Sequence, residues 1–155
     1  MTPAINSARK NKIPHTVHEY VHNPQCKSYG EEAAEQIGVA AGRVFKTLVV
    51  RLDGGDLAVA VIPVSSMLSM KLLAKAAGAK KASMADPSDV TRATGYVLGG
   101  VSPLGQKNRL KTIIDSSAMS HATVLVSAGR RGLEIELGPD QLKQATSALL
   151  VDICQ

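Results

Sequence analysis

Apolar and polar positions along this chain predict an α/β protein in which strands outnumber helices. Apolar runs over Phe45–Leu52 and Leu57–Val64 flank the turn sequence Asp53-Gly54-Gly55-Asp56. Two apolar, β-branched runs on either side of an Asp-Gly signal predict a β-hairpin. Further strands are predicted at His15–Val21, Thr123–Ser127, Leu133–Leu137 and Ala148–Ile153. Ala82–Met84 is predicted to be a short strand at most, and Thr112–Ile114 is apolar and β-branched.

Caps and helix breakers predict four or five helices among these strands. Thr2 and Pro3 are suited to the N-cap and the first helical position of an initial helix. Ser28 and Glu31 have the spacing of a capping box, and Gly38 is placed to end the helix that follows. That helix is predicted over Glu31–Gln36, and the other predicted helices are Ser66–Ala77, Asp86–Ala93 and Pro139–Thr146.

The order of these elements favours a mixed α/β (α+β) fold. Six or seven strands and the helices do not alternate strictly, which argues against a doubly wound parallel sheet. A length of 155 residues predicts a single domain over 1–155. With one Phe, three Tyr and no Trp, the core must be aliphatic. We therefore expect a mixed sheet curled around an aliphatic core, with helices outside.

Composition narrows the function classes. The net charge of +5 is compatible with a polyanionic partner such as RNA, contacted through its phosphates. Cys26 and Cys154 lack the spacing of a metal site, so neither a metal nor a cofactor is predicted. The chain has neither a signal peptide nor an apolar run near the roughly 20 residues of a membrane span. We expect a cytoplasmic protein with no membrane or DNA partner.

Lys46 is the most unusual charged residue because it interrupts the apolar strand Phe45–Leu52. Alternation puts its side chain on the face opposite Phe45 and Thr47. It would then extend outward or protect a sheet edge, which periodicity alone favours. If it faces a cleft instead, its ammonium could bind a phosphate or carbonyl oxygen or stabilise an oxyanion.

The apolar stretch Thr94–Gly105 contains three glycines and Pro103, so it predicts a stiff turn. Turn-making alone explains such a sequence, but its backbone could also hold a small polar ligand. In that second interpretation, a bulky residue at Gly100 costs activity more than stability.

Other candidate residues stay open at this point. Tyr20 and Tyr29 could flank a pocket or simply pack. Ser127 and Gly129 could bind a ligand or make a turn. The four histidines lie in no catalytic or metal-binding pattern.

Four ordered stretches of the chain carry a family resemblance: Phe45–Val50, Met84–Pro87, Thr94–Lys107 and Val126–Leu133. Together with Met1–Ala4 and His18–Pro24, they resemble the YbaK family. Members of this family are free-standing aminoacyl-tRNA deacylases related to the editing domain inserted in bacterial prolyl-tRNA synthetase. The resemblance implies a curled mixed sheet or partly open barrel surrounded by helices. It also implies removal of Cys from mischarged tRNA(Pro).

The resemblance also implies site residues. Lys46 matches the essential lysine, which we expect to bind and polarise rather than attack. Glu134 lies where members vary, so no required role is expected for it. Tyr29 stands where other members have Phe. The expected substrate-binding residues are Tyr20, Tyr29, Thr47, Gly99, Gly100, Val101, Ser102, Pro103, Ser127 and Gly129.

In the implied chemistry, the thiol of the bound cysteine attacks its own ester, so the protein supplies proximity and charge stabilisation. The expected partners are the Cys-bearing 3′ end of aminoacyl-tRNA and, in a transient complex, prolyl-tRNA synthetase. One alternative is an Ala-tRNA(Pro) hydrolase that uses water. Another is a non-catalytic module that binds tRNA ends or a synthetase. A nucleotide-binding protein is disfavoured because P-loop spacing is absent.

Overall fold

The computed structural model describes residues 1–155 and contains five α-helices and eight strands. The helices are α1 (Pro3–Lys10), α2 (Tyr29–Ile37), α3 (Met70–Ala76), α4 (Pro87–Thr94) and α5 (Pro139–Thr146). The strands are β1 (His15–Glu19), β2 (Phe45–Leu52), β3 (Leu57–Pro63), β4 (Ala82–Met84), β5 (Lys111–Asp115), β6 (Val124–Arg130), β7 (Leu133–Leu137) and β8 (Leu149–Val151). This order confirms the mixed α/β class.

The strands form two sheets, where the sequence predicted one. A three-stranded antiparallel sheet has the order β1-β7-β6, and a five-stranded sheet has the order β4-β2-β3-β5-β8. The predicted hairpin β2–β3 is confirmed, and β5 and β8 continue that sheet in parallel. A single bridge between Val44 and Leu125 joins the two sheets at one corner, so the barrel is not closed.

The core is aliphatic, as the composition predicted. The larger apolar cluster takes residues from both sheets, and Phe45 and Tyr96 are its only aromatic members. A smaller cluster lies on the other face of the five-stranded sheet and includes Ile62 of β3 and Leu73 of α3. Because β3 is buried on both faces, its partner β2 is held firmly, and the start of β2 has a fixed position.

Two helix starts differ from the prediction. The third helix begins at Met70 rather than Ser66, because Ser69 is its N-cap and accepts a hydrogen bond from Leu72 N at 3.1 Å. At α2, Ser28 is the N-cap, but its side chain makes no capping hydrogen bond, so the predicted capping box does not form. No helix combines the length and the apolar character needed to cross a membrane.

Candidate active site

A cavity of about 310 Å³ opens at the corner where the two sheets meet. Its walls come from the residue after β1, the start of α2, the start of β2, a glycine turn near residue 99, and facing positions of β6 and β7. The volume is at the lower end of the range for small-ligand sites, which is roughly 300–1,000 Å³. The cavity therefore suits a compact group such as one amino acid.

The structure brings most of the sequence-predicted site residues together. Those that line the cavity are Lys46, Tyr20, Tyr29, Thr47, Gly99, Val101 and Ser127. They come from five separate parts of the chain, so no local pattern in the sequence could show that they meet. Four other expected residues, Gly100, Ser102, Pro103 and Gly129, do not line it.

Lys46 is half-buried in the cavity wall, where it pairs across the hairpin with Ile62. No carboxylate lies within ion-pair distance of its ammonium group. Because the cavity reaches the start of β2 and Lys46 lines it, the structure favours the interpretation in which Lys46 faces a cleft over the one in which it extends outward. An ammonium without a counter-ion in such a wall can bind an anionic or carbonyl oxygen of a ligand.

Two hydroxyl groups in the wall have hydrogen-bonding capacity left over. Thr47 Oγ1 is the one buried side-chain polar atom in the structure without a hydrogen-bond partner. An unsatisfied buried group of this kind costs about 1–3 kcal/mol, and a ligand atom could recover that cost. Ser127 Oγ accepts from Gly129 N at 3.1 Å, which leaves its own O–H able to donate to a ligand.

Glu134 is a cavity residue for which the sequence predicted no required role. Its side chain is buried, at 7% exposure, and lies on β7 directly opposite Ser127 of β6. Burial raises the pKa of this carboxyl to about 8, so it is mostly neutral at pH 7. Burial and the proximity of Glu134 also raise the pKa of Tyr20 to about 12. Strand alternation gave no signal for this burial, because Leu133 and Ile135 occupy the core-facing positions.

Arg131 is a second cavity residue that sequence reasoning missed. Its guanidinium lies over the Tyr29 ring, with Cζ 4.1 Å from the ring centroid. Its Nη2 donates to the carbonyl of Leu98 at 3.2 Å. The same Tyr29 ring meets His22 edge-on at 5.4 Å between centroids. Arg131 thus connects the start of α2 with the glycine turn across the cavity mouth.

The glycine stretch is a structural loop that presents only part of its backbone to the cavity. Gly100 N donates to Val97 O at 3.0 Å, and Gly99 has φ +89°, which suits the third position of such a turn. A Cβ on Gly99 would lie 2.4 Å from Arg131 Nε, so a side chain at this position would displace the Arg131 guanidinium.

The four expected residues outside the cavity support this loop from behind. A Cβ on Gly100 would lie 2.8 Å from Arg130 Cα, which is backbone and cannot move aside easily. Ser102 is fully buried, with its Oγ accepting from Leu104 N at 3.2 Å, and Pro103 is also buried. Gly129, at φ +113°, packs against Tyr96 instead.

The cavity lacks the usual nucleophile–base pair. No histidine and no cysteine lines it. His18 instead bonds Glu136 at 2.7 Å, and His22 bonds Glu32 at 2.7 Å. The structure also contains no group of three His, Cys, Asp or Glu residues that could hold a metal ion. What the site offers is an unpaired cation, hydroxyls, backbone and a protonated carboxyl, which together can position and polarise a bound ester.

Comparison with known proteins assigns this fold and cavity to a family. The aminoacyl-tRNA editing domain family model matches residues 23–145, and the chain belongs to that family. This confirms the family predicted from the four sequence stretches.

One relative extends the similarity to nearly the whole chain. EbsC of Enterococcus faecalis, a candidate Cys-tRNA(Pro)/Cys-tRNA(Cys) deacylase, is 37% identical over 98% of this chain and 92% of its own. ProXp-y of Escherichia coli, a multifunctional Ser/Thr-tRNA deacylase, is 30% identical over 55% of this chain and 53% of its own. The fold matches a candidate trans-editing enzyme for prolyl-tRNA synthetase with a TM-score of 0.84 at 20% identity, covering 99% and 95% of the two chains.

Proposed function

We propose that this protein is a trans-editing deacylase that removes Cys from mischarged tRNA(Pro), with residues 1–155 acting as one editing domain. The observation that carries the proposal is the cavity itself, which Lys46 lines together with hydroxyls and glycine backbone and which no histidine or cysteine lines. The 37% identity to EbsC over almost the full chain supports the same substrate class.

The proposed reaction uses the thiol of the substrate as nucleophile. The sulfur of the bound cysteine forms a bond to its own ester carbonyl carbon, and the bond from that carbon to the ribose oxygen breaks. The thiol proton ends on the ribose oxygen, so the products are free tRNA and a cyclic cysteine thiolactone. The protein then needs to supply only proximity and charge stabilisation.

The cavity residues have matching roles in this reaction. The Lys46 ammonium binds the ester or the terminal nucleotide and stabilises negative charge as it develops on the carbonyl oxygen. The hydroxyls of Thr47 and Ser127 hold the aminoacyl group, and Tyr20 and Tyr29 flank it. A reactive thiol also supplies selectivity that size cannot, because one methylene discriminates by only about 1–3 kcal/mol.

One observation favours a second candidate, a hydrolase for Ala-tRNA(Pro) that uses water. Glu134 lines the cavity, and once it has lost its proton it could act as a general base toward a water molecule. Its pKa of about 8 means that this base would be mostly protonated at pH 7. The thiol mechanism needs no such base, and for that reason we favour it.

Side-by-side deacylation assays separate the two candidates. Cys-tRNA(Pro) and Ala-tRNA(Pro) are incubated with the purified protein, and released amino acid and thiolactone are followed over time. Faster release of Cys, with thiolactone as the first product, supports the proposal. Faster release of Ala, or cysteine appearing without thiolactone, supports the hydrolase instead. Release of neither amino acid would favour a non-catalytic tRNA-binding module.

We further propose that tRNA identity is supplied by prolyl-tRNA synthetase in a transient cytoplasmic complex. The cavity is large enough for one amino acid, but not for the parts of tRNA that distinguish proline from cysteine acceptors. The isolated protein should therefore deacylate Cys-tRNA(Pro) and Cys-tRNA(Cys) at similar rates. Sharp discrimination by the protein alone would contradict this part of the proposal.

A further inference from the structure

We infer that Arg131 is a substrate-binding residue that contacts the phosphate of the terminal nucleotide of the tRNA. The inference rests on the proposed function for the nature of the substrate, and it assigns a particular side chain to a part of that substrate outside the aminoacyl group. Three features of the structure support it: the geometry of the guanidinium, the charges around the cavity, and the contrast with the neighbouring Arg130.

The Arg131 guanidinium is held in place at the cavity mouth, yet most of its hydrogen-bonding capacity is unused. Stacking on Tyr29 at 4.1 Å fixes its plane, and its contact with Leu98 O uses one N–H group. An arginine carries five N–H donors in a rigid fork. The residue is exposed, so the remaining donors can reach a ligand at the entrance. A fixed guanidinium of this kind matches the geometry of phosphate oxygens.

The charges of the cavity favour an anion. Three cationic side chains, Lys27, Lys46 and Arg131, line it, and none of them forms an ion pair. Glu134 is the single acidic residue in the wall, and it is buried below the entrance. An aminoacyl ester brings no negative charge of its own. The anionic part of the substrate is the phosphate on the 5′ side of the terminal adenosine, which must lie outside the aminoacyl pocket and therefore near the mouth.

Arg130 provides a matched comparison within the same turn. It carries the same charge one residue earlier, but it does not line the cavity, and its Nη2 donates to Glu19 Oε1 at 3.0 Å. Both arginines are exposed, so replacing either one removes a surface charge of the same size. A difference in ligand affinity between Arg130→Gln and Arg131→Gln is therefore due to the position of the arginine and not to the loss of one positive charge.

A purely structural role for Arg131 is the competing interpretation. The guanidinium could only brace the glycine turn against α2, since it touches both Tyr29 and Leu98. Loss of a brace would loosen the whole pocket and weaken every ligand alike. Loss of a phosphate contact would weaken only ligands that carry the phosphate, and this difference separates the two roles.

The test measures binding of adenosine 5′-monophosphate and of adenosine to the wild type, Arg131→Gln and Arg130→Gln by titration followed by NMR. Thermal unfolding of each variant checks that it is folded. We expect the wild type and Arg130→Gln to bind the monophosphate about 10- to 100-fold more tightly than adenosine, the range for hydrogen bonds to a charged group. Arg131→Gln should bind both ligands with the affinity that the wild type has for adenosine.

Two outcomes overturn the inference. One is a wild type that binds the monophosphate no more tightly than adenosine. The other is an Arg131→Gln variant that loses affinity for both ligands by the same factor, as a brace would. Neither readout depends on deacylation, so failure of the proposed function would be recognised separately, as a wild type that binds the monophosphate but releases no amino acid from Cys-tRNA. In that assay, an Arg131→Gln variant that retains activity should show a raised KM with little change in kcat.

Discussion

Replacing Glu134 with Gln should flatten the pH dependence of folding stability, and the structure gives the size of the effect. Glu134 is buried in the cavity wall, at 7% exposure, and burial is the one cause of its pKa shift. Burial disfavours the ionised form and raises the pKa from 4.5 to about 8. Gln has nearly the same shape but does not titrate, so the variant removes the ionisation and keeps the packing.

The direction of the pH dependence follows from the number of protons that the folded and the unfolded states bind. Between pH 4.5 and 8, Glu134 is protonated in the folded protein and ionised in the unfolded chain. Unfolding then releases a proton, so the free energy of unfolding falls as pH rises, by about 1.4 kcal/mol per pH unit. The stability due to neutral Glu134 is fully present below about pH 4.5 and is lost above about pH 8. From pH 4.5 to pH 8 the free energy of unfolding falls by about 5 kcal/mol in total.

Equilibrium urea unfolding at pH 5.5, 7 and 8.5 measures this effect in the wild type and in Glu134→Gln. Glu35→Gln is a matched control, because Glu35 is exposed on α2 and outside the cavity. The wild type and the control should lose stability steeply over this range, whereas Glu134→Gln should lose much less. If Glu134→Gln follows the same pH dependence as the wild type, the carboxyl is not buried in its neutral form and the reasoning is refuted.

Two further substitutions separate binding roles from structural ones. Thr47→Val removes a buried hydroxyl that has no partner, so urea unfolding should show unchanged or slightly higher stability, while deacylation falls about 10-fold. A loss of stability equal to the loss of activity would show that the hydroxyl serves the fold. Gly100→Val pushes a side chain onto the Arg130 backbone and should destabilise the protein by about 1–3 kcal/mol. This reverses the expectation from sequence that activity would suffer first, and an inactive Gly100→Val protein with wild-type stability would restore that expectation.

Local signals in the sequence predicted most of the elements but not how they assemble. The hairpin β2–β3 was predicted because its apolar runs and Asp-Gly turn are adjacent in the chain. The two sheets meet through the Val44–Leu125 bridge, which joins residues about 80 positions apart and has no local signature in the sequence. The start of α3 was misplaced because Ser69 caps it while its own N–H donates to Ile153 O at 2.8 Å, near the other end of the chain.

The site shows the same division between local and distant information. Lys46 is recognisable in the sequence because a charge in an apolar strand is locally unusual. The family resemblance predicted the other residues of the site. No local pattern in the sequence marks Arg131 or Glu134 as site residues, because their importance comes from the residues that they face across the fold. In the sequence Arg131 is one residue of a turn, and only the structure shows that its guanidinium lies over the Tyr29 ring. Strand alternation predicts that Glu134 faces solvent, whereas in the structure it is buried in the cavity wall.

The central claim is that the Lys46 cavity clears Cys from tRNA by means of the substrate's own thiol. The most direct measurement is deacylation of Cys-tRNA(Pro) by the wild type, Lys46→Ala and the control Lys71→Ala, with the first product identified by mass spectrometry. Lys71 is exposed on α3 and lies outside the cavity. We predict thiolactone release by the wild type and the control, and a loss of about 100-fold or more in Lys46→Ala. Wild-type activity in Lys46→Ala, or free cysteine as the first product, would contradict the claim.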